Sequence, residues 1–174
     1  MEESKKHWIH HVDFSWFQQL RGESDCGSVI IVQAILEERL GDFIEGYILS
    51  SPKKTREFVE ELRSGRGNPL GGFAARLDFA QKHDLLDKGL IDAFRGINKL
   101  RKGFAHYESP RVLKLEMQQI DEILRLLPTA TREWVENHTS DVPASTEARE
   151  HFEVLSWCLL ASLEHLIHQQ SNTS

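Results

Sequence analysis

Apolar residues recur at three- and four-residue spacing along nearly every long segment of this chain, the period of helices that bury one face. No stretch alternates apolar and polar positions over the length of a strand, so the expected fold is all-α. A short first helix is predicted around Phe14, Trp16, Phe17 and Leu20, closing at Gly22. A long second helix follows from about Cys26 to Leu49, with Ser24 or Asp25 as its N-cap. This helix is apolar over much of its circumference until Glu37, the mark of a central bundle helix. Val29 to Val32 could form a buried strand, but the flanking period and the lack of a partner strand favour helix.

Ser51-Pro52 opens a short helix through Phe58, Val59 and Leu62, and residues 64–72 read as a glycine-rich loop. Further helices are expected from about Phe73 to His83 and from Asp87 to His106. Another, capped by Ser109-Pro110, should run to Leu127. Residues 128–145 are polar apart from Trp134 and are expected to be an irregular connection. A C-terminal helix over 146–168 and a frayed tail over 169–174 complete the chain. The pattern predicts one domain over 1–174, a helical bundle of about six to seven helices around a long central one.

One helix breaks its own pattern. Its apolar stripe runs Leu90, Phe94, Ile97, then Arg101, then Phe104, which sets a guanidinium where a core residue is expected. A buried Arg stays charged and needs acceptors for its five donors. Glu23, Asp25, Glu37 and Asp78 are the carboxylates that facing helices could bring to it. Beside that stripe, Arg95, Lys99, Lys102 and His106 form a cationic one that calls for an anionic destination. Arg101 and His106 lie roughly 140° apart on an ideal helix, and a bend at Gly103 would bring both to one cleft. The plainer reading is a structural ion pair at Arg101, with His106 capping the helix C-terminus.

Composition narrows the classes of function. The 174 residues are 40% hydrophobic with nine Phe and four Trp, enough for one sizeable core. No apolar run approaches the roughly 20 residues of a membrane-spanning helix, and the first residues carry no export signal, so a soluble cytoplasmic protein is expected. Cys26 and Cys158 are too few for a disulfide framework and are expected to be reduced and buried. The net charge of −6 argues against a protein that coats nucleic acid. Yet residues 51–114 hold 14 Lys and Arg against 8 Asp and Glu. That basic stretch is either a solvated face or the place where an anionic ligand or acidic partner docks.

Other constellations carry less chemistry. The loop Gly65 to Gly72 lacks the Gly-Lys-Ser/Thr of a P-loop and has no strand before it, so it reads as an interhelical connection. His7, His10 and His11, and Glu164, His165 and His168, offer metal-ligand atoms on solvated turns, but neither set is a known metal motif. No pattern for covalent catalysis stands out, and neither a cofactor nor a metal is expected.

Three motifs together resemble the mannitol operon repressor family: Glu23-Ser24-Asp25-Cys26-Gly27, Asn68-Pro69-Leu70-Gly71-Gly72-Phe73-Ala74-Ala75-Arg76, and Leu100-Arg101-Lys102-Gly103-Phe104-Ala105-His106. The resemblance covers about residues 14–110, with a looser similarity in the C-terminal helix. It implies an all-helical bundle and a role in transcription regulation without a DNA-binding domain of its own. The chain likewise has no helix-turn-helix with a basic recognition helix, which argues against direct DNA binding. Repression would then work through a regulatory protein partner, with the chain itself a monomer or a homodimer.

The Arg-x-x-x-x-His spacing is also similar to that of the HEPN superfamily, some of whose members are metal-independent ribonucleases while others bind nucleotides or proteins. That resemblance implies phosphate stabilisation by Arg101, proton transfer by His106, and RNA as the partner. In both families a polar residue such as Asn commonly follows the Arg, and here Lys102 stands there, which weighs against nuclease activity. Glu23, Asp25, Arg76, Arg101, Lys102 and His106 are therefore the candidates for binding or for a buried ion pair, and Arg101 and His106 the candidates for catalysis.

Overall fold

The computed structural model describes residues 20–63, 70–105, 114–139 and 147–172. Among these residues it is all-α, with seven helices: α1 (Asp25–Leu49), α2 (Pro52–Arg63), α3 (Phe73–Lys82), α4 (Lys88–Ala105), α5 (Met117–Leu124), α6 (Thr129–Thr139) and α7 (Glu147–Ser171). The expected first helix over 14–20 lies outside the described residues apart from Leu20.

The long helix is central, as its apolar circumference predicts: α1 packs against α2, α3, α4 and α7. Its start is set by Ser24, whose side chain accepts the Gly27 N–H at 3.1 Å. Such a cap satisfies one of the orphan donors of the first turn. Val29 to Val32 are helical, and Val29 and Val32 face the core at 0% and 1% exposure. Ser51 and Pro52 open α2 as expected, with Ser51 Oγ accepting from the Lys54 amide at 3.3 Å.

Two connections differ from expectation. The helix expected from Ser109-Pro110 starts at Met117 instead, residues 114–116 being non-helical and residues 106–113 lying outside the described residues. Leu115 is buried there and its amide donates to Asp25 Oδ2 at 2.8 Å, a bond that a helical residue in mid-turn could not spare. The stretch 128–145, expected to be irregular, contains α6. Pro128 stands just before its first turn, where its missing N–H costs nothing, and its carbonyl accepts from Thr131 and Arg132. A helix with so few apolar residues gives little periodic signal. It is held by Val135, fully buried, and by Trp134, whose ring stacks on Trp157 of α7 at 4.9 Å.

The C-terminal helix also runs further than expected, to Ser171 rather than about 168. Its last turns lie along α1: Glu164 pairs with Arg39 at 2.9 Å, and Gln170 reaches so close to Gly46 that a Cβ there would meet its Oε1 at 2.8 Å. No helix among the described residues is long and apolar enough to cross a membrane. Both cysteines are free and buried, and burial pushes the Cys158 thiol up to about 12.

Candidate functional site: a cationic cleft at the end of α4

The site begins with how α4 chooses its buried face. Leu90, Ile91, Ala93, Phe94, Ile97, Leu100 and Phe104 point inward, so the stripe runs from Ile97 to Leu100 and then Phe104. Arg101 is exposed, which corrects the expectation that it occupies a core position. Residues three and four beyond Ile97 flank the same helix face, since each residue advances about 100°. Burying a guanidinium costs several kcal/mol unless every donor is paired, whereas burying a leucine is favourable by about 2 kcal/mol. The helix therefore turns Leu100 inward and Arg101 outward.

None of the four carboxylates considered for Arg101 pairs with it. Asp25 binds Arg149 at 3.1 Å, and Asp78 binds Arg95 at 2.7 Å. Glu37 accepts from Gln33 Nε2 at 2.7 Å, and Glu23 is exposed beside Gly27. The cationic stripe beside it also divides. Arg95 turns to α3, where it meets Asp78 and Gln81, and Lys99 lies 4.0 Å from Glu122 of α5. Lys102 is exposed, and among the described residues neither its side chain nor that of Arg101 has an ion pair or hydrogen bond. Gly103 lies within α4, which is described to Ala105, and nothing stands within 4 Å of its would-be Cβ. His106 lies outside the described residues.

Arg101 and Lys102 instead form one wall of an open cleft of about 580 Å³ with Asn98, also on α4. The facing wall is Gly71, Gly72, Phe73, Ala74 and Ala75, and Gln33 and Glu37 of α1 complete it. Gly72 is the N-cap of α3 and supplies no side chain to its first turn. The cleft thus gathers two cations with no ion pair among the described residues, the amide side chains of Asn98 and Gln33, and the positive end of a helix against the single carboxylate of Glu37. Its balance favours an anion. Two motifs far apart in the chain, at the start of α3 and the end of α4, are brought together here, which periodicity alone does not reveal.

Arg76 and Asp25 have different duties. The Arg76 guanidinium is half-buried and donates to the carbonyls of Glu37 and, at 3.3 Å, Leu70, tying α3 and the glycine segment to α1. Gly41 makes room for it: a Cβ there would stand 2.7 Å from Nη1. Asp25 joins a network at the other end of α1. Arg149 donates to Asp25 Oδ1 at 3.1 Å, to Glu153 Oε1 at 2.7 Å and to the Leu20 carbonyl at 2.5 Å. With the Leu115 amide on the second Asp25 oxygen, this network joins α1, α7 and the segment before α5. Arg149 is a residue that the sequence reading missed. It is one of many charged residues on its helix, and only a three-dimensional neighbourhood distinguishes it.

The remaining ligand-type clusters do not assemble. Glu164 is engaged by Arg39, and His165 shares a 2.8 Å hydrogen bond with Gln169. His7, His10 and His11 lie outside the described residues. Among the described residues no three His, Cys, Asp or Glu side chains converge to hold a metal ion. No family model, curated protein or solved structure matches the chain.

Proposed function

We propose that this chain is a transcription-regulatory protein of the mannitol operon repressor type, acting through a protein partner rather than by gripping DNA itself. The observation that carries the reading is the division of labour among the motif residues. Asp25 and Arg76 are spent on holding helices together, whereas Arg101 and Lys102 are left exposed at one cleft. Exposed cations with no partner among the described residues give the fold little and are placed to meet an acidic surface, where complementary charge steers encounter and sets orientation. The net charge of −6 opposes a phosphate backbone but not an acidic protein segment reaching one local basic cleft. The same reading puts the protein in the cytoplasm, where transcription occurs, as a monomer or homodimer.

The test is complementation of a strain lacking this chain with wild type or the Arg101→Glu/Lys102→Glu double variant, reading mannitol-operon transcript. The double variant should lose repression while its melting midpoint stays within a few degrees of wild type. Full repression by a folded double variant would refute the cleft as the working surface.

A second reading has its own support. A guanidinium beside helix N-terminal amides is also a good phosphate site, as the resemblance to HEPN ribonucleases would require of Arg101. In that reading the resemblance gives proton transfer to His106. Metal-free cleavage of a labelled RNA pool by wild type, abolished in His106→Ala at unchanged melting, would replace the regulatory reading with this one.

A further inference from the structure

A second concavity lies on the other side of Glu37, between α1 and α2, with a volume of about 770 Å³. Its apolar lining comes from Ile48, Phe58, Val59 and Leu70, and Leu49 stands at it 64% exposed. It extends the apolar surface of the groove to the outside of the bundle. The rim on α1 is acidic. Glu38, Asp42 and Glu45 recur at four and three residues, so they share one strip of the helix, and all three are exposed. Arg39 reaches Asp42 at 3.0 Å but is shared with Glu164 at 2.9 Å. Glu38 and Glu45 have no ion pair among the described residues. Arg76, which also lines the groove, directs its guanidinium to backbone carbonyls instead.

We propose that this groove takes a basic amphipathic helix from a protein partner. Apolar side chains of that helix at i, i+3, i+4 and i+7 would fill the space over Ile48, Phe58 and Val59 and cover Leu49. Its Lys and Arg residues would meet Glu38, Asp42 and Glu45. The charge of the rim is what selects the occupant. An acidic or neutral apolar helix would leave Glu38 and Glu45 desolvated against like charge or none, whereas a basic one neutralises them. The proposal rests on the reading that the chain works through protein partners, and it gives that reading a second surface of opposite sign to the α4 cleft.

The experiment uses the full chain and a fluorescent 18-residue helical peptide of Leu and Lys, with Leu at helical i, i+3, i+4, i+7 spacing. Its controls are the same composition scrambled and a Leu/Glu counterpart. Anisotropy should show saturable binding of the Leu/Lys peptide alone. Glu38→Lys/Glu45→Lys and, separately, Leu49→Asp should each weaken it about tenfold or more, the size expected from losing two rim pairs or one apolar anchor. Both variants change exposed side chains, and matched melting curves confirm that they fold. Equal binding of the scrambled peptide, no binding at all, or binding indifferent to both variants would overturn the proposal. A wild-type dimer in sedimentation that Leu49→Asp dissociates would assign the groove to a second copy and overturn it as well. Arg101→Glu/Lys102→Glu separates the two readings. If it loses repression while the peptide fails to bind wild type, only the groove assignment falls. If neither variant set affects the operon, the regulatory reading falls, and peptide binding is judged on its own.

Discussion

Two arginines of this molecule make opposite use of the same group. Arg149, on α7, is 16% exposed and directs its guanidinium to Asp25, Glu153 and the Leu20 carbonyl. Arg101, on α4, is exposed and meets no described partner. A guanidinium goes inside only where a complete set of acceptors awaits it, because an unpaired buried charge costs far more than a leucine gains. Around Arg149 the set includes Glu153, itself only 8% exposed, so removing either charge strands the other. Around Arg101 no such set exists among the described residues, and the core position goes to Leu100. The first arginine is architecture, and the second is left at the surface.

The largest effect that would test this contrast is at Arg149. Arg149→Ala leaves Glu153 buried without its counter-charge and should cost about 3–5 kcal/mol in urea unfolding, while a loss under about 1 kcal/mol would erase the distinction. Next comes the register of α4. Leu100→Ala should destabilise by about 2–4 kcal/mol as a buried truncation. Arg101→Ala should stay within about 0.5 kcal/mol of wild type. The reverse order would mean that the arginine, not the leucine, belongs to the core.

At the α1 terminus, Ser24→Ala should cost about 1 kcal/mol, the usual value of an N-cap, whereas Gly72 at the start of α3 has no side-chain cap to lose. The smallest effect at neutral pH is at Cys158, whose thiol burial pushes up to about 12 from an ordinary 9.0. Its folded value is raised, so the contribution is complete below about pH 9. It is lost as pH rises from there toward 12, because the unfolded chain releases its proton first. Native protein at pH 8 should accordingly leave Cys158 unreactive toward a thiol reagent until it is unfolded, and rapid native labelling at this residue would show that the α7 face is open.

Much of the bundle was legible from spacing. The long central helix, its start at Ser24 or Asp25, the Pro52 start of α2, the extent of α3 and the start of α4 to within a residue follow from periodicity and capping chemistry, which act over one or two turns. α6 was not legible, because Trp134 and Val135 are too few to make a period, and its stability comes from stacking on Trp157 and burial of Val135. The end of α7 was hidden for a related reason: Glu164 and Gln170 look solvated in sequence but lie against Arg39 and Gly46.

The sequence by itself determined that the chain is helical, that it has one long apolar helix at its centre, and that positive charge gathers before residue 114. These are properties of local spacing and composition. Only the tertiary structure decided which arginine is buried, which carboxylates are already neutralised, and that Arg101 faces the start of α3 across a cleft. Spacing leaves a helix free to rotate by half a residue's advance. The choice between Leu100 and Arg101 is made by desolvation, a cost that depends on what the neighbouring helices present.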